Sequence, residues 1–362
     1  MKLSIKRTIG GALAASLAVA ALAGCAPSSD GGGDGGDGGS SDVTLTLVTW
    51  GGTTEEGFKK VYADPFTAET GIKTKMVNPV DYGKYTAQLE TGNITWDWVD
   101  IEGWFAYQRQ ADWATIDRDV VQYDDADVIN PPGKDYSTID WGIPSPSYSF
   151  VISYRTEEAQ HPTTWEEFFD TDAIPGKRAI YNWPYGMLEV ALLGDGVPMD
   201  ELYPLDVDRA LAKLDSVRDD LVFWNSGAEL QQILSTGGAP FAFAWNNRVA
   251  ALMKEDQPVA IEWGENLQDG SVNTIAAASP RLDETMQFFN FMMDADRQRD
   301  VALSTGYSPV LKSSFEKIDT DLQPLYNAYP ANLEQAVGTI DHDWWAENYD
   351  AVSAKWTEWA AG

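Results

Sequence analysis

The chain has 362 residues, enough for one large domain or two ordinary ones, and its 44% hydrophobic content can supply a buried core. Its 56 acidic residues against 25 basic ones give a formal charge of −31. Such a surface repels nucleic acid and anionic lipid head groups and draws in cations, so no nucleic-acid partner is expected.

The chain opens with Lys2, Lys6 and Arg7, followed by an apolar run from Ile9 to Ala23 that holds no acid. A basic segment leading into a short Ala/Gly-rich apolar run is the pattern of a secretory signal, and the run is short for a membrane span. It ends Leu22-Ala23-Gly24-Cys25, at the only cysteine of the chain. This resembles the bacterial lipobox. The resemblance implies that residues 1–24 are a lipoprotein signal peptide and that Cys25 becomes the lipidated first residue of the mature chain. The anchor would hold the protein to the outer face of the cytoplasmic membrane, at the cell surface or in the periplasm. Residues 25–42 then form a Gly/Ser/Asp tether, with Asp34 and Asp37 breaking the glycines. Its span is on the order of 20–25 Å by the flexible-linker rule.

The body begins with an alternating, β-branched strand, Val43 to Thr49, which breaks at Trp50-Gly51-Gly52. Thr53 and Glu56 form a capping-box pair ahead of a helix with Phe58, Val61 and Tyr62 on one face. A strand over Ile72–Val77, a helix from about Asp81 to Glu90, a short strand over Trp98–Ile101 and a helix from about Trp104 follow. This β-α-β-α-β-α order predicts an α/β fold with a mainly parallel sheet covered on both faces. The aromatic, Pro- and Ser-rich stretch Trp141–Tyr154 reads as a crossover into a second lobe. Beyond it, Thr164 caps a helix, Arg178–Tyr181 reads as a strand, and Leu205–Val217 reads as a helix. Ser226 starts another helix that Gly237-Gly238 ends, and Phe241–Ala244 is a buried-type strand running into Trp245-Asn246-Asn247-Arg248. Helices dominate from Asp283 onward, with Trp344, Trp345, Trp356 and Trp359 at helical spacings that point to packing rather than ligand. Trp96, Trp98, Trp113 and Trp141 are expected in the core.

With one cysteine and two histidines, His161 and His342, no internal disulfide and no Cys/His zinc site can form. Nucleophile–histidine chemistry starts poorly, because His161 precedes a proline and His342 lies between two aspartates. No metal, no cofactor and no catalytic residue is expected.

Several segments together carry a family resemblance. They are Trp50-Gly51-Gly52, Asp97-Trp98-Val99-Asp100, the Pro144-to-Tyr154 crossover and Pro162 to Phe169. Leu188 to Val197, Tyr203 to Ala210 and Phe243-Ala244-Trp245-Asn246-Asn247-Arg248 complete the set. Across residues 43–362 the chain resembles the extracellular solute-binding lipoproteins of ABC importers, most of all the spermidine/putrescine-binding branch. The resemblance implies a two-lobed type II periplasmic-binding-protein-like fold, with two crossings between lobes and a ligand held in the cleft. Residues 43–146 plus about 246–285 would form lobe 1, and 147–245 plus about 286–362 lobe 2. It implies a non-enzymatic receptor, expected to be a monomer, that hands a small-molecule amine to the permease subunits while tied to the membrane through its lipid.

A protonated amine needs acceptors for its N–H groups and aromatic walls for its cationic head and methylene stem. Candidates at strand ends are Trp50 with Gly51, Glu102, Trp104, Tyr148, Trp183, Tyr185, Trp224 and Trp245. The polyamine binders place an Asp two residues after the crossing tryptophan; here that position is Asn247, followed by Arg248. Their acid-bearing second-lobe loop reads Trp183-Pro184-Tyr185-Gly186-Met187 here, with no carboxylate before Glu189. The family resemblance favours a polyamine. An arginine in the cleft would instead suit a zwitterion such as an ω-amino acid or a betaine. More distant readings are a secreted carbohydrate-active enzyme, which needs two facing carboxylates, and a ferric-iron receptor, which would want paired tyrosines where Tyr307 stands alone.

Overall fold

The computed structural model describes residues 43–362. Cys25, the signal segment and the tether lie outside the described residues.

Strand β1 (Thr44–Val48) turns Leu45 and Leu47 into the core, as its alternation requires. The helix after it starts at Gly52 rather than from a Thr53 cap. Gly51 precedes it at φ 77° with no side-chain cap. Glu55, not Glu56, is engaged locally: it accepts from the Thr49 hydroxyl and from the Asn78 amide, each at 2.8 Å. Helix α1 (Gly52–Phe58) continues through a π-helical turn at Lys59–Ala63 into α2 (Asp64–Thr70), burying Phe58, Tyr62 and Phe66. Strand β2 (Lys73–Val77) lies at a sheet edge and carries two outward lysines, a common guard against edge pairing. Asp81 caps α3 (Tyr82–Thr91), and β3 (Trp98–Val99) leads to α4 (Gly103–Gln108). The three strands form a parallel sheet in the order β2-β1-β3.

Strand β4 (Ile143–Pro144) leaves this lobe, and β5 (Tyr148–Arg155) enters the second sheet as an interior strand. Then come α5 (Trp165–Phe168), capped by Thr164, β6 (Arg178–Tyr181), α6 (Met187–Gly194) and α7 (Val207–Asp215). Next are β7 (Leu221–Trp224), α8 (Gly227–Thr236) with Ser226 as its cap, β8 (Phe241–Trp245) and α9 (Asn246–Lys254). Strand β9 (Val259–Asp269) is an element the sequence reading did not include, although Val259, Ile261 and Trp263 alternate at its start. It pairs antiparallel with β5, and an irregularity in register accommodates Gly264 and Glu265, the latter at φ 55°. The chain returns through β10 (Val272–Asn273), which pairs with β4, so the two crossings run side by side.

Helices α10 (Leu282–Met292) and α11 (Ala295–Thr305) follow. Phe288 packs against Tyr62, Phe66 and Trp98 of the first lobe, and α11 lies so close to α1 that a Cβ on Gly57 would meet Thr305 at 2.6 Å. Short helices α12 (Lys312–Phe315) and α13 (Pro330–Glu334) precede β11 (Ala336–Thr339) and the long α14 (His342–Ala361). The second sheet runs β11-β9-β5-β8-β6-β7 and is mixed rather than mainly parallel. Two stretches therefore sit differently from the sequence reading. Strand β9 falls within 246–285 yet pairs in the second sheet, and α10–α11 reach beyond residue 286 yet pack on the first lobe. Helix α14 serves both lobes: Tyr349 stacks on Trp104 of the first, while Trp345, Trp356 and Trp359 donate to Glu189, Asn182 and Asp215 of the second.

Candidate functional site

Parallel strands expose their carboxyl ends at one edge of a sheet, and the loops that follow them build a crevice. Here the segments after β1, β3, β6, β7 and β8 converge on a cavity of ≈ 420 Å³. Its aromatic wall comes from both lobes. Trp50 meets Trp183 edge-on at 6.3 Å, Tyr181 meets Trp245 at 5.0 Å, and Tyr148 lies 5.9 Å from Tyr307 and 6.4 Å from Trp245.

Of the residues expected at the site, Trp50, Glu102, Tyr148, Trp183, Trp245, Asn247 and Arg248 line this cavity. Four do not. Gly51 is spent on the turn, buried at positive φ with Asn78 against it. Trp104 is buried beneath Tyr349, with ring centroids 3.6 Å apart and planes within 6°. Trp224 is fully buried behind the wall, stacked on Tyr181 at 4.3 Å and edge-on to Trp245 at 4.9 Å. Tyr185 is also buried, and its hydroxyl donates to Asp269 at 3.2 Å. A place at a strand end does not decide which side of the wall a ring takes: for Trp104, Trp224 and Tyr185 packing from α14 and the neighbouring strands does.

The cavity wall also includes Tyr181, Tyr307, Asn225, Ser226 and Gly227. The Ser226 helix-start pattern was the available signal for the last three. Asp269 was invisible because it ends the unrecognised β9.

One end of the cavity is acidic. The Tyr148 hydroxyl lies 2.9 Å from Asp269 Oδ2 and 3.2 Å from Glu102 Oε2. One phenolic proton cannot serve both, so Glu102 lacks a full set of donors. Burial, with Asp269 and Asp100 as like-charged neighbours, pushes its carboxyl well above the usual range, and the bond from Tyr148 offsets only part. Asp100 is pushed up to about 7 by burial, with Arg248 pulling weakly the other way. Asp269 is better supplied: besides the two tyrosines it accepts from the Gly270 amide at 2.8 Å and has His342 Nε2 at 2.8 Å.

The other end is cationic. Arg248 sits in the first turn of α9 and forms no ion pair among the described residues. Its Nη1 donates to Thr53 Oγ1 across the lobes at 3.2 Å, while its Nε has no partner. Asn247 Oδ1 and Trp245 Nε1 are also buried without partners. Gly227 lets α8 press on the guanidinium, since a Cβ there would fall 2.6 Å from Arg248 Nε. The amino ends of α8 and α9 thus both meet the cavity beside Arg248, and helix amino ends favour anions. Among the described residues, no cluster of three or more His, Cys, Asp or Glu side chains is placed to hold a metal ion.

Residues 61–334 match the family described as bacterial extracellular solute-binding protein. The gamma-aminobutyric acid-binding protein of Pseudomonas aeruginosa is 28% identical over 327 residues, covering 88% of this chain and 91% of that one. Among solved structures, a GABA receptor is 34% identical with a TM-score of 0.79, covering 87% of this chain and 97% of its own. The PBP AgtB from A. tumefaciens R10, solved in complex with agropinic acid, is 26% identical with a TM-score of 0.77 over 89% of this chain and 100% of its own.

Proposed function

The chain belongs to the bacterial extracellular solute-binding proteins and is the substrate-binding component of an ABC importer, and within that role we propose that its ligand is a short ω-amino acid. The observation that carries this reading is the polarity of the cavity. Glu102 lies on its wall with Asp100 and Asp269 beside it in the adjoining space, and Arg248, which forms no ion pair among the described residues, stands elsewhere on the wall with two helix amino ends. A diamine has no use for Arg248 and would be repelled by it. A zwitterion uses both ends, with its methylene stem against Trp50, Tyr181, Trp183 and Trp245. The polyamine favoured by the family resemblance is the competing ligand. The GABA-binding relatives support the ω-amino acid.

The protein works outside the cytoplasm. Among the described residues no helix is long and apolar enough to cross a membrane. We further propose that Cys25 carries the lipid that tethers the body near its permease, and that Gly270-Ser271, between β9 and β10, form part of the second lobe crossing.

The deciding experiment measures affinities for 4-aminobutyrate and putrescine on the wild type and on Arg248→Ala. The expected loss for 4-aminobutyrate is about 2–5 kcal/mol, with putrescine unchanged or improved. Loss of neither ligand on Arg248→Ala would remove the arginine from the site and with it the zwitterion reading.

A further inference from the structure

Next to the main cavity lies a second, much smaller one of ≈ 20 Å³. Trp50, Glu102, Tyr148 and Tyr307 line both, so the small space is an annex at the acidic end. Its own wall adds Asp100, Asp269 and Ser271. A space of this size holds about one water-sized group, for which the threshold is about 10–15 Å³. Two of its polar atoms, Asp100 Oδ2 and Ser271 Oγ, are buried with no hydrogen-bond partner. Buried polar atoms of this kind are costly unless something completes them.

Resting on the ω-amino-acid reading, we propose that this annex seats the ligand's ammonium and selects a primary amine over its N-methylated forms, so that betaines are rejected. A primary ammonium is nearly water-sized and carries three N–H donors. Asp100 Oδ2, Ser271 Oγ and Glu102 are acceptors within the same wall. Each added methyl removes one donor and adds volume. A trimethylammonium head has no donor at all, would leave Asp100 and Ser271 uncompensated, and would have to push apart Tyr148, Tyr307 and Trp50. The aromatic faces alone would favour a quaternary head, as aromatic cages do. Here the enclosed size and the unmet carboxylate act against it, because a buried acceptor left without a donor and an overfilled space both cost binding.

The test uses the full-length protein and three ligands of one chain length: 4-aminobutyrate, 4-(methylamino)butyrate and 4-(trimethylammonio)butyrate, each titrated by calorimetry. The first methyl is expected to weaken binding about 10-fold or more, the scale of one lost charge-assisted hydrogen bond, and the trimethyl form more again. Tyr307→Ala, which opens the annex, is expected to narrow the gap. Ser271→Gly, a milder change, is expected to narrow it in the same direction, and thermal melts of both variants report whether they fold. Equal affinity for the three ligands, or a preference for the trimethyl form, overturns the annex while leaving the zwitterion reading intact. Binding of putrescine with none of the three overturns both.

Discussion

Three carboxyls raised by burial report on different things, Glu102 and Asp100 on the site and Glu189 on the fold. Glu102 and Asp100 are held toward the protonated form in the free protein, Asp100 at about 7. An ammonium seated between them stabilises the ionised form, so binding is expected to release protons. Affinity should then weaken as pH falls from about 8 to about 6, with proton release visible as a buffer-dependent calorimetric heat. A dissociation constant flat over that window would mean that neither carboxyl touches the cation. Glu189 is different. It is fully buried in α6, where its Oε1 accepts from Trp345 Nε1 and from the Tyr203 hydroxyl, and burial raises it to about 7 from 4.5. Between those values the folded state binds a proton that the unfolded state has lost. Stability from this group therefore falls as pH rises through about 4.5 to 7, by on the order of 1–3 kcal/mol. Glu189→Gln keeps the Oε1 acceptor and removes the charge. Its denaturation free energy should exceed that of the wild type at pH 8 and approach it at pH 4, and a constant difference across pH would refute the assignment.

At the scale of elements, the approach of α4 to α14 shows how packing decides a side chain's role. Helix α4 begins at Gly103, and a Cβ there would lie 2.4–2.6 Å from the His342 ring, which opens α14 and sits against Asp269. The ring has no room to retreat, because it is itself buried and packed by Tyr107 at 5.3 Å. Gly103→Ala is expected to destabilise the protein by about 1–3 kcal/mol in urea unfolding, as overpacked cores do. An unchanged midpoint would show that α14 can shift freely. The same contact places Tyr349 on Trp104 and so withdraws that tryptophan from the cavity. Strand β9 is the converse case. Val259, Ile261 and Trp263 alternate with Ala260, Glu262 and Gly264 in its first half, but Gly264, Glu265 and Asn266 break the pattern, and tertiary pairing with β5 and β11 carries the strand on to Asp269.

At the scale of the whole molecule, polar and aromatic contacts link the lobes beside the cavity, among them Arg248 with Thr53, Tyr148 with Glu102 and Trp50 with Trp183. A ligand that touches both lobes favours their closed arrangement by its differential affinity for it. Ligand at 100 times its dissociation constant is expected to add about 2.7 kcal/mol to stability and to reduce the radius of gyration in solution scattering. Stabilisation with an unchanged radius would indicate lobes held together without ligand. The acidic coat implied by a charge of −31 favours the approach of a cationic group, but it is the unpaired Arg248 that makes the cavity suit an anion as well.

What the sequence by itself determined was local in its causes. The alternation of β1, the helix beginning near Asp81, the caps at Thr164 and Ser226, the glycine stop at Gly237 and the helical spacing of the C-terminal tryptophans each follow from interactions within a few residues, and each appears in the structure. The strand-end aromatics Trp50, Trp183 and Trp245, with Glu102 and Tyr148, were legible because loops after strands are where such folds gather side chains. Only the tertiary structure decided which rings face the cavity, since Trp104, Tyr185 and Trp224 differ from Trp245 in their distant neighbours and not in their local sequence. It alone joined Asp269 to Glu102 through Tyr148, residues far apart along the chain, and it left Arg248 without an ion pair among the described residues of a chain rich in acids. Long-range pairing and mutual exclusion of volume set those outcomes, and neither is written in any short stretch of residues.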